Sequence, residues 1–510
     1  MGFMAIKAGR RRIDGAAFEK RVLMIASGLA GIGVAAGDAV ALLMRNDTCF
    51  LEATFAIQHL GAYAVPLNWH CKADELLYII EDCAAKILIV HADLLRGLRP
   101  RLPDMIAVIA VATPDHIAEA FRVPHESRGV PAGLRAWDRW IDEQTPMQAP
   151  TQPAPESLIY TSGTTGSPKG VRRKAQTSEQ AILGETMRAR VFGIGAGARV
   201  LVAAPLYHTA PNLFASRAIR KGELLVLPPR FDPEGLLQHI ERHAMTHLYA
   251  VPTMFARMLN LPERMRRRYD LSSLSFVLHA GGPCPPAVKR AMIEWLGPII
   301  NEYYGSTEHG PLSFSTSADW LARPGTVGRA APSATISIQD DTGLQLPPGE
   351  VGEVLGHNAA CSDFTYLHRE GARAELQRGD LLMTGDLGYL DADGYLFLCD
   401  RKRDMVISGG VNIYPAEIES VLMEHDGVAD CVVFGIPHPE FGEAVMAIVE
   451  PQHERQLDPE MIRVFLAGRL ASYKVPARIE VRQGLPREES GKIRKRLLRD
   501  PYWQGAGRTI

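Results

Sequence analysis

Short apolar runs alternate with amphipathic stretches along most of the first 400 residues. The runs are rich in Val, Ile, Leu and Ala and have the length of buried strands. The predicted strands are Val40–Met44, Tyr63–Leu67, Ile87–Val90, Ile106–Val111, Val200–Ala203, Leu224–Leu227, His247–Ala250 and Phe276–His279. Helical periodicity lies between several of them, as in Asp74–Cys83 and Pro233–His243. This alternation predicts an α/β fold of mainly parallel sheets flanked by helices.

A charged segment near residue 400 interrupts the pattern. Asp400–Asp404 reads Asp-Arg-Lys-Arg-Asp and separates two further predicted strands, Tyr395–Leu398 and Met405–Ser408. The residues that follow have their own strand and helix pattern and are numerous enough for a small domain. We therefore predict a large domain over residues 1–400 and a small, mobile α+β domain over residues 401–510.

Length, charge and cysteine content narrow the class of protein. A chain of 510 residues exceeds what one core accommodates, and 46% hydrophobic with 22% charged residues is ordinary for a globular protein. The formal net charge of -2 gives no general attraction to nucleic acid, so no such partner is expected. Seven scattered cysteines, none in a Cys-x-x-Cys pair, favour reduced thiols in a cytoplasmic protein and argue against a zinc site.

Two segments near the N-terminus bear on membrane association. Val22–Gly37 is apolar but contains four glycines, so it predicts a helix and a turn before the next strand, and no integral membrane segment. The basic run Lys7–Arg12 is not followed by the apolar core of a signal peptide. We expect this run to be a solvated terminus.

The most informative segment is Tyr160–Val171, which reads Tyr-Thr-Ser-Gly-Thr-Thr-Gly-Ser-Pro-Lys-Gly-Val. Its glycines let backbone N–H groups approach phosphate oxygens, its hydroxyls donate further hydrogen bonds, and Lys169 adds a positive charge. It is not a Walker A loop, because Pro168 precedes the lysine and Gly170 follows it. The composition predicts a loop that wraps the phosphates of ATP.

This loop resembles the phosphate loop of the adenylate-forming superfamily, which includes acyl- and aryl-CoA synthetases, nonribosomal peptide adenylation domains and luciferases. Further motifs of that superfamily follow in its order up to residue 493. The likeness is closest to the coenzyme A ligase branch, because Ile-Ser-Gly-Gly at 407–410 precedes Pro-Ala-Glu-Ile-Glu at 415–419. The resemblance assigns ATP binding in the loop to Thr161, Ser162, Gly163, Thr164, Thr165, Gly166 and Lys169.

The resemblance extends the nucleotide site over three more motifs. Tyr-Gly-Ser-Thr-Glu at 304–308 follows a predicted strand at Pro298–Ile300 and offers a ring to adenine and a carboxylate to the Mg²⁺ that accompanies ATP. A Gly-Gly-Pro turn after His279 allows close backbone approach to adenine. Thr-Gly-Asp at 384–386, placed after a strand, supplies a carboxylate for the ribose. The residues assigned in this way are Gly281, Gly282, Pro283, Tyr304, Gly305, Thr307, Glu308 (also the metal ligand), Asp386 and Arg401.

The acyl and coenzyme A sites are implied in the same way. Pro-Leu-Tyr-His at 205–208 resembles the motif at the mouth of the acyl tunnel, with Tyr207 and His208 on the acyl side. Tyr303 occupies a position that is glycine in many long-chain ligases, so we expect it to narrow the tunnel. Ser408, Gly409 and Gly410 match the loop that turns toward coenzyme A.

The C-terminal segment carries the catalytic lysine that the resemblance implies. Lys492 resembles the lysine that closes over the reacting carboxylate and the α-phosphate, where a positive charge cancels the repulsion between two anions. Lys492, His208 and Thr307 form the expected catalytic set. The small domain is expected to rotate about Arg403, a hinge position where the family usually has Asp or Lys.

Taken together, the motifs predict an ATP-dependent acid–CoA ligase. A fatty, alicyclic or aryl carboxylic acid is converted to acyl-AMP with release of pyrophosphate, and coenzyme A then displaces AMP. A stand-alone adenylation enzyme that loads a carrier protein, a luciferase-type oxygenase and a nonenzymatic nucleotide-binding regulator are the alternatives, and a homodimer is left open. The segment 356–369 departs from the superfamily pattern, and the sequence offers no account of it.

Overall fold

The computed structural model describes residues 5–103, 105–161, 168–402, 404–408, 411–439, 441–452, 455–487 and 493–504. The elements up to residue 142 are β1 (Ala5–Ala8), β2 (Arg11–Asp14), α1 (Gly15–Gly31), β3 (Ala39–Leu43), α2 (Thr48–His59), β4 (Tyr63–Pro66), α3 (Ala73–Asp82), β5 (Ile87–His91), α4 (Ala92–Leu95), β6 (Ala107–Val111), α5 (Asp115–Phe121), β7 (Arg135–Ala136) and α6 (Trp137–Asp142). The middle of the chain forms β8 (Ile159–Thr161), β9 (Lys169–Arg173), α7 (Ser178–Phe192), β10 (Arg199–Val202), α8 (Thr209–Lys221), β11 (Leu224–Leu227), α9 (Pro233–His243), β12 (His247–Ala250), α10 (Pro252–Leu259), α11 (Glu263–Arg266), β13 (Phe276–His279), α12 (Pro286–Leu296), β14 (Ile300–Ser306), β15 (Gly310–Ser315) and α13 (Ser317–Ala322). The remainder forms β16 (Thr326–Ala330), β17 (Ala334–Gln339), β18 (Gly352–Asn358), β19 (Phe364–Tyr366), α14 (Glu370–Leu376), β20 (Gln377–Arg378), β21 (Leu381–Leu390), β22 (Leu396–Arg401), β23 (Val406–Ser408), β24 (Val411–Ile413), α15 (Pro415–Leu422), β25 (Val428–His438), β26 (Gly442–Pro451), α16 (Pro459–Ala467), β27 (Arg478–Val481) and α17 (Lys495–Trp503).

The first of the sheets is parallel throughout, in the order β4-β3-β5-β6-β7. Its central strands β3 and β5 are buried along their whole length. Continuous burial explains why their sequences are unbroken apolar runs. The strands predicted here are confirmed with small shifts of their ends, and α3 lies one residue before the predicted helix.

The largest sheet is mixed and runs in the order β2-β1-β11-β10-β12-β13-β14-β15-β16-β22-β21-β18-β17. From β1 to β14 the neighbours are parallel, and from β14 to β17 they are antiparallel. Strands β11, β12 and β13 have the predicted ends. The predicted α/β architecture is confirmed, and the antiparallel half is an addition that the apolar runs did not indicate.

Three motifs were placed after strands but lie inside them. Tyr304 belongs to β14, which continues past the predicted Pro298–Ile300, and Asp386 lies in the middle of β21. Strand β22 extends to Arg401, beyond the predicted Tyr395–Leu398. An antiparallel strand needs only one buried face, so polar side chains interrupt its apolar pattern and hide its true length.

The prediction of a solvated N-terminal run is wrong in part. Gly9, Arg10 and Arg12 are exposed, but the run belongs to β1 and β2, which pair with each other, and Ala8 is fully buried. The basic side chains reach the edges of this layer, where Arg11 approaches Glu52 at 3.6 Å. Two short strands, of which β2 is the edge of the sheet, therefore accommodate charges that resemble a frayed terminus in the sequence.

A small three-stranded sheet, β19-β9-β8, accounts for the segment at 356–369. Strand β19 lies within that segment and pairs with β9, the strand that follows the phosphate loop. The segment therefore helps to support this loop.

The C-terminal part forms its own sheet of β23 to β27 with its own apolar core. This agrees with a C-terminal domain, while the boundary at residue 400 and the hinge stay predictions. Among the described residues, no helix has both the length and the apolar character that crossing a membrane requires.

Candidate active site

The phosphate loop connects β8 to β9, and residues of α3 form hydrogen bonds with both of its ends. The Tyr160 hydroxyl donates to Asp82 Oδ2 at 2.6 Å, and the Tyr78 hydroxyl donates to the Pro168 carbonyl oxygen at 3.3 Å. Burial raises the pKa of Tyr160, and the hydrogen bond to Asp82 raises it further. This phenol therefore stays protonated and keeps donating to the end of α3.

Several predicted site residues lie outside the described residues. They are Ser162, Gly163, Thr164, Thr165 and Gly166 of the phosphate loop, the hinge Arg403, Gly409 and Gly410 of the coenzyme A loop, and Lys492. Their roles stay predictions. Ser408 is described as the half-buried end of β23, in register with Val411.

Glu308 is the point where the phosphate loop meets the Tyr-Gly-Ser-Thr-Glu motif. Its Oε1 accepts hydrogen bonds from Thr161 Oγ1 at 3.4 Å and from the Tyr366 hydroxyl at 3.1 Å. Its Oε2 accepts from Ser306 Oγ at 3.1 Å. The predicted metal ligand therefore lies beside the first residue of the loop, with its carboxylate held by three hydroxyls.

Tyr366 also contacts the predicted lysine of the phosphate loop. Lys169 Nζ lies 5.3 Å from the centre of the Tyr366 ring, a distance at which a cation is attracted by an aromatic face. The pKa of Tyr366 is raised by burial and then by the charge of Glu308. Tyr366 could not be found from the sequence, because it lies in the segment that matches no motif.

The donor set around Glu308 fits a magnesium–nucleotide complex. Mg²⁺ prefers oxygen ligands and is usually held by one or two carboxylates together with substrate phosphates. The described ranges contain no group of three or more His, Cys, Asp or Glu side chains that could hold a metal on their own. Glu308 would thus provide the protein ligand, and ATP would provide the remaining charge.

Thr307, next in the chain, connects this region to the predicted acyl side. Its Oγ1 lies 2.8 Å from Thr209 Oγ1, at the start of α8. His208 is the N-cap residue of the same helix, and its ring lies 4.5 Å from that of Tyr207. The structure thereby places Thr307 next to Thr209, the residue that follows His208 and Tyr207 in the chain. Trp69 also lies next to this group, with its ring 6.3 Å from that of Tyr207, and the sequence analysis did not include it among the site residues.

The predicted ribose ligands also lie together. Asp386 and Arg401 face each other in the register of β21 and β22, with Arg401 Nε 2.7 Å from Asp386 Oδ1. The Tyr304 hydroxyl donates to Asp386 Oδ2 at 2.5 Å. Burial raises the pKa of Tyr304, with the charge of Asp386 adding to it. Each carboxylate oxygen has a second lone pair, so Asp386 can still accept from a diol.

The glycines of the predicted adenine site differ in the space around them. Gly281 has φ of 86°, and a Cβ on Gly282 would meet nothing within 4 Å, so the turn after β13 leaves space next to the backbone. A Cβ on Gly305 would lie 2.0 Å from the Gly310 carbonyl oxygen. Packing therefore explains Gly305, whereas Gly282 borders an open space. Pro283 follows this turn and is exposed.

Aromatic side chains surround Tyr303, the residue predicted to narrow the acyl tunnel. Its ring lies 6.2 Å from that of Phe192, and Phe192 lies 5.8 Å from Phe214. Burial raises the pKa of Tyr303, so its hydroxyl is neutral at physiological pH. A small pocket on the Thr307 side is lined by residues that include Thr209, Leu213 and Thr307.

Comparison with known proteins agrees with these motifs. The model of the AMP-binding enzyme family matches residues 2–361, and that of the AMP-binding enzyme C-terminal domain matches residues 417–492. The indoleacetate–CoA ligase of Aromatoleum aromaticum is 32% identical, over 97% of this chain and 94% of that protein. The feruloyl-CoA synthase of an Amycolatopsis species is 33% identical, over 97% and 95%. A fatty acid–[acyl-carrier-protein] ligase of Streptomyces coeruleorubidus is 31% identical, over 95% and 91%.

Solved structures are similar over almost the whole chain. The anthranilate CoA ligase AuaEII, solved with anthranoyl-AMP, superimposes with a TM-score of 0.85 at 27% identity, covering 99% of this chain and 95% of that one. The similarity includes both parts of the molecule. The protein therefore belongs to the AMP-binding enzyme family, as the adenylate-forming motifs of its sequence indicate.

Proposed function

We propose that the protein is an ATP-dependent acid–CoA ligase. A substrate carboxylate attacks the α-phosphorus of ATP, the bond to the β-phosphate oxygen breaks, and acyl-AMP and pyrophosphate form. The thiolate of coenzyme A then attacks the acyl carbon and AMP leaves, which yields the thioester. Activation is required because a free carboxylate is a poor electrophile, whereas the mixed anhydride has AMP as a leaving group.

The observation that carries this proposal is the continuity of the site around Glu308. Thr161 at the edge of the phosphate loop donates to Glu308, and the neighbouring Thr307 contacts Thr209 beside His208. A nucleotide phosphate bound next to Glu308 and a substrate carboxylate bound next to Thr307 would be neighbours. Such proximity converts a bimolecular encounter into an effectively unimolecular reaction.

In this proposal the described residues have distinct tasks. Lys169 offsets the phosphate charge, and Glu308 would hold Mg²⁺, whose chemistry there would be to supply positive charge next to the phosphates. Asp386 and Arg401 bind the ribose, with Tyr304 and the Gly281 turn on either side of adenine. His208 orients the acid, and Lys492 would neutralise the carboxylate as it meets the α-phosphate.

The second half-reaction requires the small domain to move. We propose that rotation about Arg403 withdraws Lys492 and brings Ser408, Gly409 and Gly410 to the pantetheine arm of coenzyme A. Asp400 is placed to respond to such a rotation, because its Oδ2 accepts from the Ala416 N–H at 2.9 Å. That hydrogen bond joins the end of β22 to the start of α15, across the proposed domain boundary.

The aromatic side chains support an apolar and compact acid as substrate. Tyr303 packs against Phe192, and its bulk would narrow the acyl tunnel in this proposal. We therefore favour an aryl or arylalkanoic acid, with alicyclic and short fatty acids after it. The relatives named for indoleacetate, ferulate and anthranilate support the same choice.

A carrier protein as acyl acceptor is the alternative, because one relative is named as a ligase for acyl-carrier protein. The test measures AMP release by the purified protein with a panel of carboxylic acids, with either coenzyme A or holo-carrier protein as acceptor. We expect AMP and acyl-CoA to form with an aryl acid and coenzyme A. Turnover with the carrier protein alone would contradict the proposed acceptor, and absence of AMP with every acid would contradict the proposed function.

A further inference from the structure

Arg173 is a buried arginine that none of the motifs includes. It is the last residue of β9 and is only 6% exposed. Its guanidinium donates to the main-chain carbonyl oxygens of Thr307 at 3.0 Å, Glu308 at 2.5 Å and Ser362. One side chain thus joins the strand after the phosphate loop to the turn that carries Glu308.

The remaining surroundings of Arg173 do not explain why an arginine is needed. Its Nε lies 3.8 Å from the carboxylate of Glu156, and its Cζ lies 5.8 Å from the centre of the Phe364 ring. Removing a guanidinium from water is unfavourable, so a buried arginine is tolerated only where several acceptors satisfy it. What only arginine supplies is a planar fork that binds several acceptors in fixed directions.

The two carbonyl groups that Arg173 binds in the 307–308 turn come before and after the Glu308 Cα atom along the chain. The Thr307 carbonyl belongs to the peptide unit before the Glu308 Cα atom, and the Glu308 carbonyl belongs to the unit after it. Because each peptide unit is planar, holding both carbonyl oxygens restricts rotation about φ and ψ of Glu308. The direction in which the Glu308 side chain leaves the backbone is thereby restricted as well.

We propose that Arg173 is a positioning residue for the magnesium–ATP complex. It holds the backbone on both sides of Glu308, so that the carboxylate meets the metal without first losing conformational freedom. The identity of this ligand rests on the proposed function. Partners that orient a metal ligand typically contribute about 10- to 100-fold to metal affinity or activity.

The adjacent residue provides a matched control. Arg172 lies on the same strand, and its guanidinium lies 4.9 Å from the centre of the Tyr63 ring. Successive side chains of a strand point to opposite faces, so Arg172 lies away from the 307–308 turn. Arg172→Met therefore removes an arginine from β9 but leaves the backbone of Glu308 held.

The experiment compares Arg173→Met, Arg173→Lys and Arg172→Met with the wild type by isothermal titration with ATP, once with Mg²⁺ and once with EDTA. We expect Arg173→Met to weaken binding of the magnesium complex by about tenfold or more, and binding of metal-free ATP by less than about threefold. The affinity of Arg173→Lys for the magnesium complex is expected to lie between that of Arg173→Met and that of the wild type, because an ammonium reaches fewer of the carbonyl oxygens. Arg172→Met is expected to match the wild type.

A second measurement covers the case in which Arg173→Met fails to fold. Arg173→Gly is titrated with ATP and Mg²⁺ in the presence and absence of guanidinium at millimolar concentration, and Arg173→Lys is compared alongside. Recovery of magnesium-dependent binding with added guanidinium supports the positioning role. Wild-type affinity in Arg173→Met or Arg173→Lys, or equal losses with and without Mg²⁺, would overturn it. Because binding is measured without acid, the result is independent of whether any acid is activated.

Discussion

In the parallel half of the large sheet, the candidate residues begin only where a strand ends: β13 carries none of them, and the turn at Gly281 and Gly282 follows it. In the antiparallel half, Tyr304 and Asp386 lie inside their strands, and Arg401 is the last residue of β22. Parallel strands are covered on both faces, so function is confined to their ends. Antiparallel strands can leave one face free, and polar residues can then serve both the sheet and the site.

The comparison predicts that a mid-strand site residue affects both binding and folding. Asp386→Ala leaves the Tyr304 hydroxyl and the Arg401 guanidinium without their acceptor. We expect ATP affinity to fall by about 100-fold, and the free energy of unfolding to fall by about 1–3 kcal/mol. Calorimetric titration and urea unfolding measure the two effects. Asp386→Asn, which retains one oxygen acceptor, is the control, and unchanged stability in Asp386→Ala would break the comparison.

Two glycine substitutions sharpen the same contrast. Gly305→Ala places a Cβ against the Gly310 carbonyl oxygen, so we expect a loss of about 1–3 kcal/mol in the free energy of unfolding. At Gly282 the added methyl group meets only open space, so Gly282→Ala is expected to change stability by less than about 0.5 kcal/mol. We expect it to weaken ATP binding all the same, because the proposed function places adenine in the space that the methyl group would enter. Equal stability of the two variants would contradict the strand-end and mid-strand distinction.

Near the end of β22, the ionisation of Asp400 makes the stability of the fold depend on pH. Burial raises the pKa of Asp400 to about 6, and Lys495 opposes part of this increase, whereas Glu419 adds to it. Because this pKa is higher in the folded state, folding disfavours the ionised carboxylate, and stability is lost as the pH rises from about 4 to 6.

Asp400→Asn keeps an acceptor for the Ala416 N–H but cannot ionise. We expect it to be more stable than the wild type by about 1 kcal/mol at pH 7 and equally stable near pH 4. Urea unfolding across this range provides the measurement. If Asp400→Asn is less stable than the wild type at pH 7, the attraction between the Asp400 carboxylate and Lys495 outweighs the cost of burying that carboxylate.

The smallest expected effect concerns Tyr366, which reaches the site from outside the large sheet. Tyr366→Phe removes the hydrogen bond to Glu308 but keeps the ring beside Lys169. We expect the rate of pyrophosphate release to fall by about threefold to tenfold, with little change in the affinity for the acid. Tyr366→Leu, which also removes the ring, is expected to have a larger effect. Identical rates in the two variants would show that the ring makes no contribution.

The same contrast determines what could be predicted from the sequence. Strands β12 and β13 were predicted with their observed ends, because full burial produces unbroken apolar runs. Strands β21 and β22 were misplaced or shortened, because polar residues interrupt them. The candidate site residues were assigned by resemblance of motifs. The contacts of Tyr366 and Arg173 could not be predicted, because they depend on the pairing of β19 with β9 across almost two hundred positions.

The central claim is that Glu308 lies where nucleotide phosphate and substrate carboxylate meet. The most direct test is the exchange of labelled pyrophosphate into ATP, measured with an aryl acid in the wild type and in Glu308→Gln. We expect exchange that requires the acid in the wild type and that falls by about 100- to 1,000-fold in the variant. Exchange without acid, or equal exchange in both proteins, would contradict the claim.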